Sequence, residues 1–471
     1  MQLSRRWFQS PTLLFVMFLW SVSYAQAQDY SGSNVHRHHA LRQFWRQLEQ
    51  ELNDEIDEFE PAWFHHKHMS GDWAGQRSAL ATWGIVPTLT YVSHLLGNPS
   101  GGRSRKIAYT DNLGLDIEVD VEQLARWRGL TFHVSGSLRS GRSLSKVAIG
   151  NTFPVSNLFG GETLRFYELY VEQSFSHDSV SIVIGRFGIG DEFATSPLYS
   201  LFLNNAIDGN PLSISLNIPA FSAQSYPVAQ WGIRTKAQLS EAWSVMAGIS
   251  NGDRTVSRNH SHGLDFAFRS NADIFTIGEI RYHYGHDDDA TSLIGNYKFG
   301  GYYDAGPFLD LYYDRDGRAY ITSGLPPHKA QQNYGLYFLV DQQIFREDDE
   351  THRQGLIPIV GVTFAPADIN LFPFFFLAGI VYHGPILGRD RDTLGVSIAY
   401  GQFSHDLQRS QRLAQPVNTV QRFELAIELT YQYEATPHLI LQPDVQYIVR
   451  PGGTGRIPDA LMIGFQIAIN L

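Results

Sequence analysis

Carboxylates recur at every second position in several stretches of this 471-residue chain. Asp116 and Glu118 share one parity within DNLGLDIEVDVEQL, as do Glu168 and Glu172 within LRFYELYVEQSF and Glu424 and Glu428 within FELAIELTYQYE. Cations take the same kind of position in other runs: Arg139 at the end of LTFHVSGSLR, and Arg234 and Lys236 within WGIRTKAQL. Tyr170 stands between Glu168 and Glu172 on their parity. Groups spaced by two project from one face of extended chain. Such a face offers carboxylate oxygens beside guanidinium N–H groups, a mixture suited to the hydroxyls of a neutral sugar. A filter for anions or cations would be dominated by one sign. An aromatic ring on the same face can stack on a sugar ring. Any one of these ten residues alone reads as a solvated wall; only the set is informative.

Other motifs do not add up to a reaction centre. Gly248-Ile249-Ser250-Asn251-Gly252 spells G-x-S-x-G, but it ends an alternating run instead of opening a helix, as a nucleophile elbow must. Gly185, Gly188 and Gly190 precede no helix and make no phosphate-binding fingerprint. His36, His38 and His39, with His65, His66 and His68, lack the helical spacing of metal ligands. Asp314-Arg315-Asp316-Gly317 lacks the later Glu of a calcium loop and reads as a turn. No catalytic residue, metal or cofactor is expected. The formal net charge of −11 argues against nucleic acid, whose phosphates need a basic face.

The elements that carry the alternating charges are long strands. Leu113, Leu115, Ile117 and Val119 oppose Asp116, Glu118 and Asp120; Trp231, Ile233, Thr235 and Ala237 oppose Arg234 and Lys236; Phe423, Leu425, Ile427 and Leu429 oppose Glu424 and Glu428. Each run is about 10 residues, the span of a tilted strand across a bilayer, whereas soluble strands are nearer 5 or 6. Strands can cross lipid only as a closed barrel, because every backbone group must be paired. One apolar and one polar face then mean a lipid-facing exterior around a wet lumen. The final segment, MIGFQIAINL, sets Ile463, Phe465, Ile467, Ile469 and Leu471 on one face and suits a strand that closes the ring against the first. An all-β antiparallel transmembrane barrel is predicted, with 16 strands best fitting the length.

Before the barrel, Arg5 and Arg6, the apolar run Leu13–Trp20 and Ala25-Gln26-Ala27 read as a signal peptide over residues 1–27. Residues 28–69 form a separate segment with a short amphipathic helix, since Leu41, Phe44, Trp45, Leu48, Leu52, Ile56 and Phe59 recur at helical spacing before Pro61. Residues 70–471 form the barrel. The 471 residues include no cysteine, which suits an oxidising compartment.

Three segments make a resemblance specific. Ser70–Gly102 carries Gly71, Asp72, Trp73, Gly75, Arg77, Leu80, Gly84 and Ile85. The hairpin LRFYELYVEQSF…SVSIVIGRF carries Glu168, Glu172, Gly185, Arg186 and Phe187, and the ending ELTYQYEATPHLILQPDVQYIVRPGGTGRIPDALMIGF includes Pro451-Gly452-Gly453-Thr454. In these the chain resembles the carbohydrate-selective porins, typified by the glucose-inducible porins of pseudomonads. About residues 250–420 the likeness is weak, and the last residue is Leu471 where an aromatic is common. The resemblance implies a 16-stranded barrel in the outer membrane of a Gram-negative bacterium, narrowed by an inward-folded loop, for which Asp191 to Pro227 is the candidate. It implies passive, selective diffusion of small carbohydrates such as monosaccharides. The implied partners are small sugars, outer-membrane lipid and the barrel-assembly machinery, with a homotrimer and a monomer both open. A general or anion-selective porin and a structural envelope barrel are the alternatives.

Overall fold

The computed structural model describes residues 66–158, 161–175, 179–285, 293–347, 354–414 and 420–471. The signal peptide and the helix expected over Leu41–Phe59 lie outside the described residues. Nineteen strands follow in order: β1 Ile85–Ser100, β2 Ile107–Asp120, β3 Leu130–Gly141, β4 Thr163–Phe175, β5 Val180–Phe187, β6 Gln230–Gln238, β7 Trp243–Asn251, β8 Ile274–Tyr284, β9 Gly295–Asp304, β10 Phe308–Asp314, β11 Pro327–Ala330, β12 Asn333–Gln342, β13 Phe345–Arg346, β14 Gly355–Phe364, β15 Phe374–His383, β16 Thr393–Gln402, β17 Phe423–Thr436, β18 Leu439–Val449 and β19 Ala460–Asn470. Strands β10 and β11 pair only with each other and β13 is a two-residue piece beside β14, so 16 of the 19 build one antiparallel wall. The ring closes where β1 pairs with both β2 and β19, from Thr90↔Asn470 to Ser100↔Leu461 on the β19 side. Closure leaves no strand edge for lipid to strand unpaired. Among the described residues no helix is long and apolar enough to cross a membrane.

The period-2 pattern sorts as expected on β2 through β6 and on β17. Leu115, Leu138, Ile184, Ile233 and Leu429 are exposed outward, while Asn112, His133, Arg139, Glu172, Arg234 and Glu428 are buried inward. Part of the lumen is filled by protein. Inward-facing Met246, Phe275, Ile277, Tyr337, Leu339, Ile359, Phe375 and Leu377 join one apolar cluster with Phe193, Tyr199, Phe202, Ile207, Ile214 and Phe221 from the segment between β5 and β6. Much of the inner face there is apolar as well, because it packs against protein instead of water, with Glu279, Lys298 and Asp341 buried among these side chains.

The seam is clasped at the short-turn rim by residues that precede β1. Met69 N donates to Asn470 O at 2.7 Å, Asn470 Nδ2 donates to Lys67 O at 3.1 Å, and His68 Nδ1 bonds Asn470 Oδ1 at 2.9 Å. An Asn oxygen only accepts, so Nδ1 of His68 carries the proton. In the short helix Gln76–Thr82, Arg77 lies 4.2 Å from the Trp73 ring and donates to Leu471 O at 2.8 Å, while Asp72 caps Ser78 N at 2.8 Å. Gly84 turns the chain into β1 at φ +81°, and a Cβ there would sit 2.7 Å from Asp120 O. The Gly-Asp-Trp-x-Gly-x-Arg segment is therefore a latch between the two ends of the barrel. Burial, with Arg77 nearby, pushes the His68 imidazole down to about 4. The proton then binds the released chain better than the clasped one, so the clasp is at full strength above about pH 6.5 and weakens as pH falls toward about 4. Limited proteolysis before β1 is expected to accelerate over that window in the wild type. His68→Gln should flatten the profile; an unchanged profile would show that His68 does not set it.

Candidate pore constriction

The chain leaves β5 at Phe187, folds into the lumen and returns at Gln230, so the inward loop spans 188–229 and contains the expected Asp191–Pro227. Its backbone is held by buried side chains of the far wall. Glu279 of β8 accepts from Ala194 N at 3.0 Å, Lys298 of β9 donates to Thr195 O at 2.9 Å, and Asp341 of β12 accepts from Ser196 Oγ at 2.9 Å. Glu428 accepts from Leu203 N at 2.5 Å and Asn204 N at 3.2 Å; Asn204 Nδ2 donates to Gln446 Oε1 at 2.8 Å, and Gln442 Nε2 donates to Leu201 O at 2.5 Å. Glu424 does the same for the loop after β3, accepting from Thr152 N at 2.8 Å and Phe153 N at 2.6 Å, and also accepts from Gly452 N of the turn after β18 at 2.5 Å. Both glutamates face inward, yet they are fully covered and spend their oxygens on loop amides.

Seven of the other candidates share the opposite wall, in the half of β2, β4 and β6 toward the short turns. His133, which the sequence did not single out, sits at their centre: its Nε2 lies 3.6 Å from Asp116 and 3.3 Å from Glu168, and its ring stacks on Tyr170 at 4.8 Å. Glu168 also accepts from Gly188 N at 2.9 Å, which fixes the point where the loop turns inward. Arg234 bridges Glu172 at 3.2 Å and the loop residue Glu192 at 2.7 Å. Glu118 and Lys236 line the same wall, half-buried. The register of β3 and β4 slips between Val134 and Gly136, a bulge that turns both Tyr167 and Glu168 inward.

Arg139 lies apart, toward the other end of β3. Its Nε donates to Asn112 Oδ1 at 3.2 Å and its guanidinium lies 4.7 Å from the ring centroid of Tyr226, near the end of the loop. The Tyr226 hydroxyl is 3.0 and 3.2 Å from the amide nitrogen and oxygen of Asn112. Tyr167 meets that ring edge-on at 5.0 Å, and its hydroxyl donates to Asp191. Tyr226 remains 41% exposed although the loop around it is largely buried. A partly exposed aromatic ring thus has a guanidinium, an amide and a carboxylate beside it. Asn112 and His133 could have been found from their inward parity; Tyr167 is hidden by the bulge, and Tyr226 lies in a loop without any period.

The model of the carbohydrate-selective porin, OprB family, matches residues 104–471. The chain belongs to this porin family. Porin B of Pseudomonas aeruginosa is 27% identical over 420 residues, covering 85% of this chain and 90% of that one. The putative porin QuiX of Acinetobacter baylyi is 25% identical over 426 residues, covering 85% and 92%. The high-pH structure of Pseudomonas putida OprB superposes with a TM-score of 0.80 at 24% identity, covering 86% of this chain and 99% of that one, which shows a common fold. The porin is accordingly a channel and not an enzyme, and it resides in the outer membrane of a Gram-negative bacterium. Its short turns face the periplasm and its long loops the exterior, the orientation of such barrels.

Proposed function

We propose that this porin lets small carbohydrates such as monosaccharides diffuse passively and selectively into the periplasm. The observation that carries the reading is the solvent-facing Tyr226 ring, braced by Arg139, Asn112 and Tyr167. A sugar ring stacks on the aromatic face while its hydroxyls exchange water for the polar groups alongside; the contacts are few, so exit stays fast. Asp116, Glu118, Glu168, Tyr170, Glu172, Arg234 and Lys236 then form a second, mixed-sign wall on the periplasmic side of Tyr226. Glu424 and Glu428 shape the passage through the loops they hold. The test is conductance of the refolded porin in a planar bilayer, titrated with glucose, a disaccharide and simple anions. Saturable reduction by glucose, weaker reduction by the disaccharide, and little preference between simple anions and cations are expected. Conductance indifferent to sugars would overturn the sugar reading in favour of a general pore, and a strong anion preference would favour an anion-selective one.

A further inference from the structure

Six exposed cations crowd one sector of the extracellular rim: Arg103, Arg105 and Lys106 in the turn between β1 and β2, Arg142 and Lys146 after β3, and Arg456 before β19. Backbone contacts hold these loops together. Arg103 N and Ser104 N donate to Ala148 O at 2.8 and 3.0 Å, Gly102 N donates to Pro458 O at 3.1 Å, and Arg142 N donates to Tyr109 O at 2.9 Å. The approach is so close that a Cβ on Gly101, at φ +71°, would lie 1.7 Å from Asp459 O. In this sector Asp111 accepts from Ser140 Oγ at 2.6 Å, and Asp459 from Arg450 N at 2.8 Å. The lipid-facing surface runs up to the same turn. Ile107, the residue after Lys106, is 76% exposed, and Tyr109 on the same strand, Leu95 on β1 and Ile463 on β19 extend the apolar strip.

We propose that this sector binds the phosphate groups of an outer-leaflet lipid headgroup, with the acyl chains lying along Ile107, Tyr109 and Ile463. Guanidinium forks match phosphate oxygens, and clustered cations beside a membrane surface select anionic headgroups. The apolar strip directly beneath the cations is what favours a lipid: a soluble phosphate would satisfy the charges and leave the strip untouched. One lipid molecule covers both.

The purified porin in detergent micelles would be titrated with diphosphoryl lipid A, with its dephosphorylated form and with inorganic phosphate, and retained lipid read by native mass spectrometry. Retention of diphosphoryl lipid A at least tenfold above the dephosphorylated form is expected, without competition from equimolar inorganic phosphate. The exposed triple variant Arg103→Gln/Arg105→Gln/Lys106→Gln should lose that preference while keeping wild-type conductance. Arg315→Gln/Arg318→Gln, exposed cations of another sector, should keep it. Equal retention of the two lipids, wild-type retention by the triple variant, or displacement by inorganic phosphate would each overturn the proposal.

Discussion

Replacing Tyr226 by Ala should raise the open-channel conductance and weaken saturable block by glucose about tenfold, equivalent to ~1.4 kcal/mol. Stacking between aromatic rings contributes about 0.5–1.5 kcal/mol beyond simple burial, and stacking of a sugar ring on Tyr226 is expected to be of that order. Tyr226→Phe should keep the ring but lose the bonds to Asn112, giving intermediate block with faster sugar exit. Asn112→Ala should weaken block at least as much as Tyr226→Phe, because it releases the same hydroxyl contact and the bond from Arg139 Nε as well. Block by glucose that stays at the wild-type concentration in Tyr226→Ala would move the constriction elsewhere, to the mixed wall around His133.

A second large effect is expected far from any sugar. Glu428→Ala removes the acceptor for Leu203 N and Asn204 N. A buried N–H left without a partner costs about 1–3 kcal/mol, so the loop loses on the order of 2–6 kcal/mol of anchoring at one point. The apolar cluster around Phe193, Tyr199 and Phe221 still holds its other parts. The barrel should therefore fold, while the channel becomes noisier and wider and the loop becomes sensitive to added protease between Leu201 and Ile207. Glu428→Gln retains an acceptor oxygen and should lie closer to wild type. Glu424→Ala makes the informative contrast: it releases Thr152, Phe153 and Gly452 instead, so cleavage should appear in the loop after β3 and leave the inward loop intact. Quiet, wild-type channels from Glu428→Ala would show that apolar packing alone fixes the inward loop.

These two glutamates show where reading by period reaches its end. Alternation places Glu424 and Glu428 on the inner face correctly, but an inner face meets either water or a folded-back loop, and nothing local to β17 tells which. The answer lies with Thr152, Phe153, Leu203 and Asn204, more than two hundred positions away in the chain. The same uncertainty explains β12, β14 and β15, whose inward Tyr337, Ile359 and Phe375 are apolar because loop residues pack on them. Tyr226 meets Asn112 and Arg139 only through the fold, since Asn112 is 114 positions away in the chain.

What the sequence determined by itself was the ring: strands of membrane-spanning length, their outward faces and the closing strand at the end. Lipid imposes that pattern strand by strand, so each strand records it within its own residues. The interior was decided by tertiary structure. A bulge re-aims Tyr167, one loop packs apolar side chains on part of the wall, and carboxylates become loop anchors, all through contacts between segments distant in the chain that no local period can encode.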